Sequence, residues 1–503
     1  MAFKEGAGSG GSTKSTADQK KILALVENLS QTIEDVSQQL WKNPEISLEE
    51  IRSAQYLKEK LTGNGFKITS DKVAGVDTAF VAEFHDNGTP CTPIIGVMLE
   101  YDALPGLGNK AVPRKEPCDG DNTAGHGCGH NLIGSGALGA ALALKEYMDK
   151  NKIPGTLRVY GGAAEETEGA KVYMARAGIF NGVDAMLHWH PWYKACSMNV
   201  STAATNMMYI EFTGKSAHAG LAPWNGRNAL SAVEVFLHSV NMMREHLKPT
   251  DRVSYIIKDG GDAPNIIPDK ASVILCCRGK SRAVVQKHVL WLKDMVKGAA
   301  LATDTEGLAI EYFGLYEILP NDTFAKRVDE HLTRVGIPEY TDEEIKFAKQ
   351  LQESVLKEKD ESSSGNDPVT EDFEWKKQKG MTDSISDDPH GLDIGGSTDV
   401  GDVSWFVPTM GVVMPGAPLD VNPHTWAATA SYGSSIGTKA AIAAAKVLAL
   451  TGLDLFTDPE FLEGIKKDFD DHTKGFEYVS PVNSRIEKPV GGDFERLKKY
   501  FTK

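Results

Sequence analysis

Cysteine is scarce in this chain, with six in 503 residues, at positions 91, 118, 128, 196, 276 and 277. So few cannot staple a chain of this length, which excludes a disulfide scaffold and points to reduced, buried thiols. Cys128 is the exception, because it sits between two histidines. Basic charge is also short: 54 Lys and Arg stand against 69 Asp and Glu, a formal charge of -15. Such a surface repels polyanions and speaks against nucleic acid or an anionic membrane as partner. No uninterrupted run of about 18 apolar residues occurs, and residues 1–15 are rich in Gly, Ser and Lys, without the apolar segment of a signal peptide. The expectation is a cytoplasmic protein with no membrane partner and a disordered tail over 1–16.

What is present is enough apolar content, 41% of the residues, to build more than one core. Residues 17–40 carry Ile22, Leu23, Leu25, Val26, Leu29, Ile33, Val36 and Leu40, the spacing of one long amphipathic helix. Asn43-Pro44-Glu45 ends it, and a second helix is expected over 48–61. Strands at 79–84 and 93–99, a helix over 131–148, a strand at 157–161, a helix over 171–177 and a strand at 184–188 then alternate. That succession predicts an α/β sheet with its functional residues on the loops after strands. From about residue 207 the pattern becomes strand (208–213), helix (229–246), strands (253–258 and 272–278) and helix (284–303). A β-α-β-β-α-β unit of this size reads as a separate α+β domain inserted into the first. The division expected is a catalytic domain over 17–206 and 324–475, an inserted domain over 207–323 and a C-terminal extension over 476–503. Residues 324–357 read as helical, 358–380 as a charged loop insertion, and 440–449 as an Ala-rich core helix.

The densest group of reactive side chains is Gly125-His126-Gly127-Cys128-Gly129-His130-Asn131, a thiol and an imidazole two apart at a helix start, among glycines that let the backbone wrap a site. The next strand ends just before Glu165-Glu166, a pair suited to one metal ligand and one general base. The strand after that ends in His188-Trp189-His190-Pro191. Three successive strand ends thus carry thiolate, carboxylate and imidazole to one sheet edge, where open α/β folds place their sites. Taken singly, each has a plain packing explanation: a core histidine, a solvated helix start, a small buried thiol. Their shared topological position favours a metal site.

Two matches by letter carry no chemistry. Gly134-Ser135-Gly136-Ala137-Leu138-Gly139 fits a dinucleotide fingerprint but lies inside a helix, where its glycines serve close packing. Gly433-Ser434-Ser435-Ile436-Gly437 fits a serine-hydrolase elbow but opens a helix with no apolar strand directly before it.

With Asn43-Pro44-Glu45-Ile46-Ser47, Glu100-Tyr101-Asp102-Ala103-Leu104-Pro105, Ser216-Ala217-His218-Ala219-Gly220 and Gly396-Ser397-Thr398-Asp399, these motifs resemble a known family over nearly all of 17–450. It is that of the aminoacylase-like metallopeptidases with an inserted lid or dimerisation domain, in the branch of N-acyl-amino-acid and indole-acetyl-amino-acid amidohydrolases. The resemblance implies a mixed-sheet α/β/α, phosphorylase/hydrolase-like catalytic domain and a ferredoxin-like α+β lid. It implies two divalent ions, Zn or Mn, bridged by Cys128, with His130 and His190 on one and Glu166 and His424 on the other. Glu165 would be the general base and Asp102 the carboxylate that fixes an imidazole at the metal. His218 would stabilise an oxyanion, Asn265 and Arg278 would bind a carboxylate, often across a dimer interface, and Gly396 would line the pocket. His424 enters through the resemblance alone. Many relatives have His-x-Asp after the strand; here the first position is Glu100, so His130 would supply the missing ligand.

The activity so implied is hydrolysis of the amide of an N-acyl, preferably aromatic acyl, amino acid such as p-aminobenzoyl-glutamate. A general aminoacylase or dipeptidase, and a non-catalytic partner subunit, are the alternatives. A metal-free serine hydrolase would be marked by resistance to chelators. The assembly implied is a homodimer or a hetero-oligomer with a homologous subunit.

Overall fold

A computed structural model describes residues 17–85, 90–362 and 379–501. The tail expected over 1–16 and most of the insertion expected over 358–380 lie outside them. In chain order the strands are β1 (Lys67–Asp71), β2 (Phe80–His85), β3 (Ile94–Leu99), β4 (Thr156–Gly161), β5 (Ala185–Trp192), β6 (Cys196–Ser197), β7 (Val200–Ser201), β8 (Ala204–Thr213), β9 (Ala217–His218), β10 (Arg252–Asp259), β11 (Ile266–Ile267), β12 (Lys270–Gly279), β13 (Glu306–Leu315), β14 (Leu392–Asp393) and β15 (Thr409–Pro415).

The main sheet has the order β1-β2-β4-β3-β5-β15-β6. It is mixed: β4, β3, β5 and β15 are parallel neighbours, while β1, β2 and β6 pair antiparallel. Parallel strands are buried on both faces, and β15 shows it, with all seven residues of Thr-Met-Gly-Val-Val-Met-Pro buried. The helices His130–Asn151 and Ser435–Thr457 pack together in one continuous core with these strands. Ser435–Thr457 has the length and composition to cross a membrane, but 89% of its most apolar stretch is buried inside the protein. Its lysines are paired, Lys439 with Glu344 and Lys446 with Glu27, so it reads as a core helix.

The second sheet, β10-β12-β8-β13, is antiparallel throughout. The helices Ala229–Met243 and Arg282–Thr303 cover one face and share a separate core with it. This is the ferredoxin-like lid.

Three details differ from the sequence reading. The helix expected over 17–40 is two, Ala17–Asn28 and Ser30–Lys42, divided at Leu29 (φ -92°, ψ 2°), whose N–H is shared between the Leu25 and Val26 carbonyls. The apolar stripe passes through the break unaltered, so periodicity could not reveal it. The helix Asp342–Ser362 runs on into the segment read as a loop, as its Glu, Lys and Leu content favours. The strand β5 continues to Trp192 instead of stopping at 188, placing His190 on the strand.

Candidate metal centre and substrate cavity

Four parallel strands deliver the site. Past the end of β3 come Glu100 and Asp102, past β4 come Glu165 and Glu166, near the end of β5 stands His190, and past β15 the chain reaches His424. Cys128 and His130 stand at the start of the helix His130–Asn151. The preceding loop needs its glycines. Gly129 has φ +80°, and a Cβ there would lie 2.5 Å from Pro191 Cγ; at Gly125 it would lie 2.4 Å from the Leu107 carbonyl oxygen. Such approaches are open to glycine alone.

Ligand atoms of Cys128, His130 and His190 lie within 4.8 Å of one another, as do those of Cys128, Glu166 and His424, and those of His130, Glu165 and Glu166. Cys128 thus joins the first two groups. Hydrogen bonds fix which nitrogen each imidazole offers. His130 Nδ1 donates to Asp102 Oδ1 at 2.9 Å, and His190 Nδ1 donates to the Pro191 carbonyl at 2.8 Å. The opposite nitrogens therefore face the cluster: His190 Nε2 lies 3.4 Å from Cys128 Sγ, and His130 Nε2 3.6 Å from Glu166 Oε1. His424 Nε2 stands 3.2 Å from Glu166 Oε2. His130 Nε2 and Glu166 Oε1 are buried without any hydrogen-bond partner, which is costly unless something else satisfies them. Thiolate, imidazole and carboxylate donors converging on two unsatisfied buried atoms fit a pair of divalent cations.

Asp102 anchors the arrangement, accepting also from Ser47 Oγ at 2.8 Å and the Glu166 N–H at 3.0 Å. Burial would raise its pKa, but His130 and these donors hold it down at about 2. Burial would lower the His130 imidazole, yet Asp102, Cys128 and Glu166 raise it well above the histidine range. Burial is the first cause that pushes the Glu165 carboxyl far upward, followed by the charges of Glu100, Asp399 and Glu166. Glu165 Oε2 lies 4.0 Å from His130 Nε2, at the edge of the cluster. His126 is turned away, its ring bonded to the Leu40 carbonyl. Glu100, at the position where many relatives carry a histidine, takes Lys171 Nζ at 2.7 Å, and Lys171 also meets Asp399 at 2.5 Å.

A cavity of about 660 Å³ opens over the cluster, lined by Cys128, Glu165, Glu166, His190 and His424 on one side and by lid residues including Arg278, Met207 and Phe313 on the other. Gly396 lines it too, and Arg278 Nη1 donates to Ser397 Oγ at 3.3 Å. His218 and Asn265 are exposed and are not part of this lining. They lie side by side on the ribbon β9–β11, where His218 pairs with Ile266 and the Ala219 N–H donates to the Asn265 carbonyl. Two walls of the cavity were not expected from sequence. Phe494 and Gly492 of the C-terminal extension line it, as does Trp192. Nor was β15 expected, although an apolar strand before Asn422-Pro423-His424 is the signal that would have marked His424 as a strand-end histidine.

The letter-match decoys have structural explanations. A Cβ at Gly136 would lie 2.9 Å from the Ala441 carbonyl oxygen and one at Gly139 2.4 Å from Ile33 Cδ1, so those glycines permit close helix packing. Ser434 caps the helix Ser435–Thr457, and the Ser435 hydroxyl donates to Glu344.

Comparison with known proteins identifies the family. Residues 96–388, more than half of the chain, match the model of peptidase family M20/M25/M40. The chain is 32% identical over 471 residues to the B subunit of p-aminobenzoyl-glutamate hydrolase from Escherichia coli, covering 92% of this chain and 96% of that protein. It is 27% identical to the mouse Xaa-Arg dipeptidase, covering 90% and 91%. Among solved structures, a dinuclear metal-binding peptidase of the M20 family from Bacillus subtilis superposes with a TM-score of 0.52 at 16% identity, over 83% of this chain and 98% of that one. The chain therefore belongs to peptidase family M20/M25/M40 and is a metallopeptidase and amidohydrolase-type hydrolase of that family.

Proposed function

We propose that this enzyme hydrolyses the amide bond of an N-acyl amino acid, with an aromatic acyl group such as that of p-aminobenzoyl-glutamate preferred. The observation that carries the reading is one cavity with a cysteine, histidine and glutamate cluster on one wall and Arg278 on another. Arginine offers a planar fork that matches a carboxylate. The similarity to the B subunit of p-aminobenzoyl-glutamate hydrolase over nearly the whole chain supports the substrate class.

Cys128, His130, His190, Glu166 and His424 would hold two divalent ions, zinc on grounds of the soft thiolate or manganese on grounds of the harder donors. Bound there, such ions acidify a water and polarise the scissile carbonyl. Glu165 takes a proton from the attacking water, whose oxygen forms the new bond to carbon. The C–N bond breaks and the proton passes from Glu165 to the leaving nitrogen, giving a carboxylic acid and a free amine. Asp102 holds His130 in one tautomer throughout. His218 would donate to the oxyanion and Asn265 would join Arg278 on the carboxylate; both are exposed and outside the cavity lining, which supports their supply by a second subunit in an oligomer.

The test is a substrate panel with the metal-loaded enzyme: p-aminobenzoyl-glutamate, N-acetyl amino acids and dipeptides ending in arginine. Highest kcat/KM on the aroyl-glutamate is expected. Turnover confined to the dipeptides would move the enzyme to the dipeptidases, and turnover of none would leave a non-catalytic subunit.

A further inference from the structure

The C-terminal extension is a strap that ties the lid to the catalytic domain. Tyr478 donates to Asp402 Oδ1 at 2.6 Å, and Asn206 Nδ2 on β8 donates to the Pro481 carbonyl at 3.0 Å. Gly314 on β13 leaves room for this crossing, since a Cβ there would lie 2.7 Å from Pro481 Cβ. Arg176 Nη2 donates to the Ile486 carbonyl at 2.7 Å. The Gly491 N–H donates at 3.2 Å to Glu168, three residues after the base, and Lys498 pairs with Glu211 on β8 at 3.0 Å. Val482, Ile486, Val490 and Leu497 are buried in one cluster with Val172 and Tyr173 of the catalytic domain and Tyr209 and Ile310 of the lid.

At the turn of this strap Phe494 reaches the cavity. Its ring stacks on Tyr209 with centroids 4.9 Å apart and planes 15° apart, and meets Tyr312 edge-on at 5.3 Å. Strand register places this ring relative to Arg278. Arg278 lies opposite Thr205, Cys276 opposite Met207, and Ile274 opposite Tyr209. These alternate residues share one face of the sheet, and four residues of strand separate the Arg278 row from the Tyr209 row by about 13 Å. The wall is therefore graded, cationic at Arg278 on the lid and aromatic where Tyr312 of the lid meets Phe494 of the strap.

We infer that Phe494 is a specificity-determining residue: the strap builds the far end of the substrate cavity, and the Phe494 ring receives a flat aromatic acyl group whose amino-acid carboxylate lies toward Arg278. The inference rests on the N-acyl-amino-acid reading above and adds to it the residue that selects the acyl group. Offset stacking and edge contacts between rings, with the burial that accompanies them, supply the preference.

The test compares kcat/KM for N-benzoyl-glutamate and N-acetyl-glutamate in the full-length, metal-loaded enzyme and in Phe494→Ala and Phe494→Tyr. The expected result is an aroyl-to-acetyl ratio about tenfold lower in Phe494→Ala, carried by KM, and restored in Phe494→Tyr, which keeps the ring. Phe494→Leu serves if the alanine variant does not fold. An unchanged ratio, whether both substrates lose equally or neither does, overturns the assignment and leaves the strap a purely structural element. Failure of the unmodified enzyme to cleave either compound overturns the N-acyl-amino-acid reading itself, and the assignment with it.

Discussion

Replacing Lys171 by methionine tests the electrostatic floor of the site. The Lys171 side chain is fully buried, and its ammonium bridges Glu100, at 2.7 Å and 7% exposed, and Asp399, at 2.5 Å and fully buried. Methionine keeps most of the volume and removes the charge, leaving two carboxylates buried side by side without their shared cation. Breaking a buried pair by removing one partner costs about 3–5 kcal/mol, and the bridging role of Lys171 places the loss at the upper end of that range. The assay is urea unfolding of chelated protein at about pH 8, so that metal binding does not contribute and midpoint and slope report the change. Without the ammonium, burial favours the neutral form of both carboxyls, so the deficit should narrow on acidification. Lys171→Met/Asp399→Asn should recover at least half of the deficit. A loss below about 1 kcal/mol in the single variant, in the range of an exposed ion pair, would refute the reasoning.

Asp102→Ala should weaken metal binding about 10–100-fold, the usual effect of losing the group that orients a ligand histidine, as read by competition with a chromophoric chelator. Unaltered affinity would mean that His130 is held by packing alone. Asp402 gives a pH dependence. Burial raises its pKa to about 7, against the hydrogen bonds from Tyr478 and the Tyr316 N–H. The folded state then binds more protons than the unfolded one between about pH 4 and 7, so this group lowers stability as pH rises through that window and no further above it. Asp402→Asn should flatten that part of the thermal-stability profile and raise the midpoint above pH 7; an unchanged profile would assign the slope elsewhere.

Much of this architecture could be read from the residues. The alternation of strands and helices through 79–188 and the change of pattern near 207 reflect buried parallel strands and a lid with its own core. Glu165 and Glu166 follow β4, His190 lies near the end of β5 and Cys128 stands just before the helix that follows β3, so all are delivered to one sheet edge, a topological signal visible in one dimension. His424 was missed by this signal because β15, the apolar strand that leads to it, was not expected; its loop carries no spacing rule, and its position depends on a backbone bond from its own N–H to the Gly127 carbonyl. Phe494 was illegible for a different reason. It lies 329 residues after Glu165 in the chain and reaches the cavity where Gly314 and Asn206 admit the strap across the lid. Arg278 could be placed at a strand end but not over the metal cluster, because its orientation depends on how the two sheets face each other.

The most direct test of the central claim is hydrolysis of p-aminobenzoyl-glutamate before chelation, after chelation, and after stepwise return of Zn²⁺ or Mn²⁺ with the bound metal counted. The prediction is that activity disappears on chelation and returns in full only as the second ion per chain binds, with Glu165→Gln binding both ions and remaining inactive. Turnover indifferent to the chelator would contradict the two-metal mechanism built on Cys128.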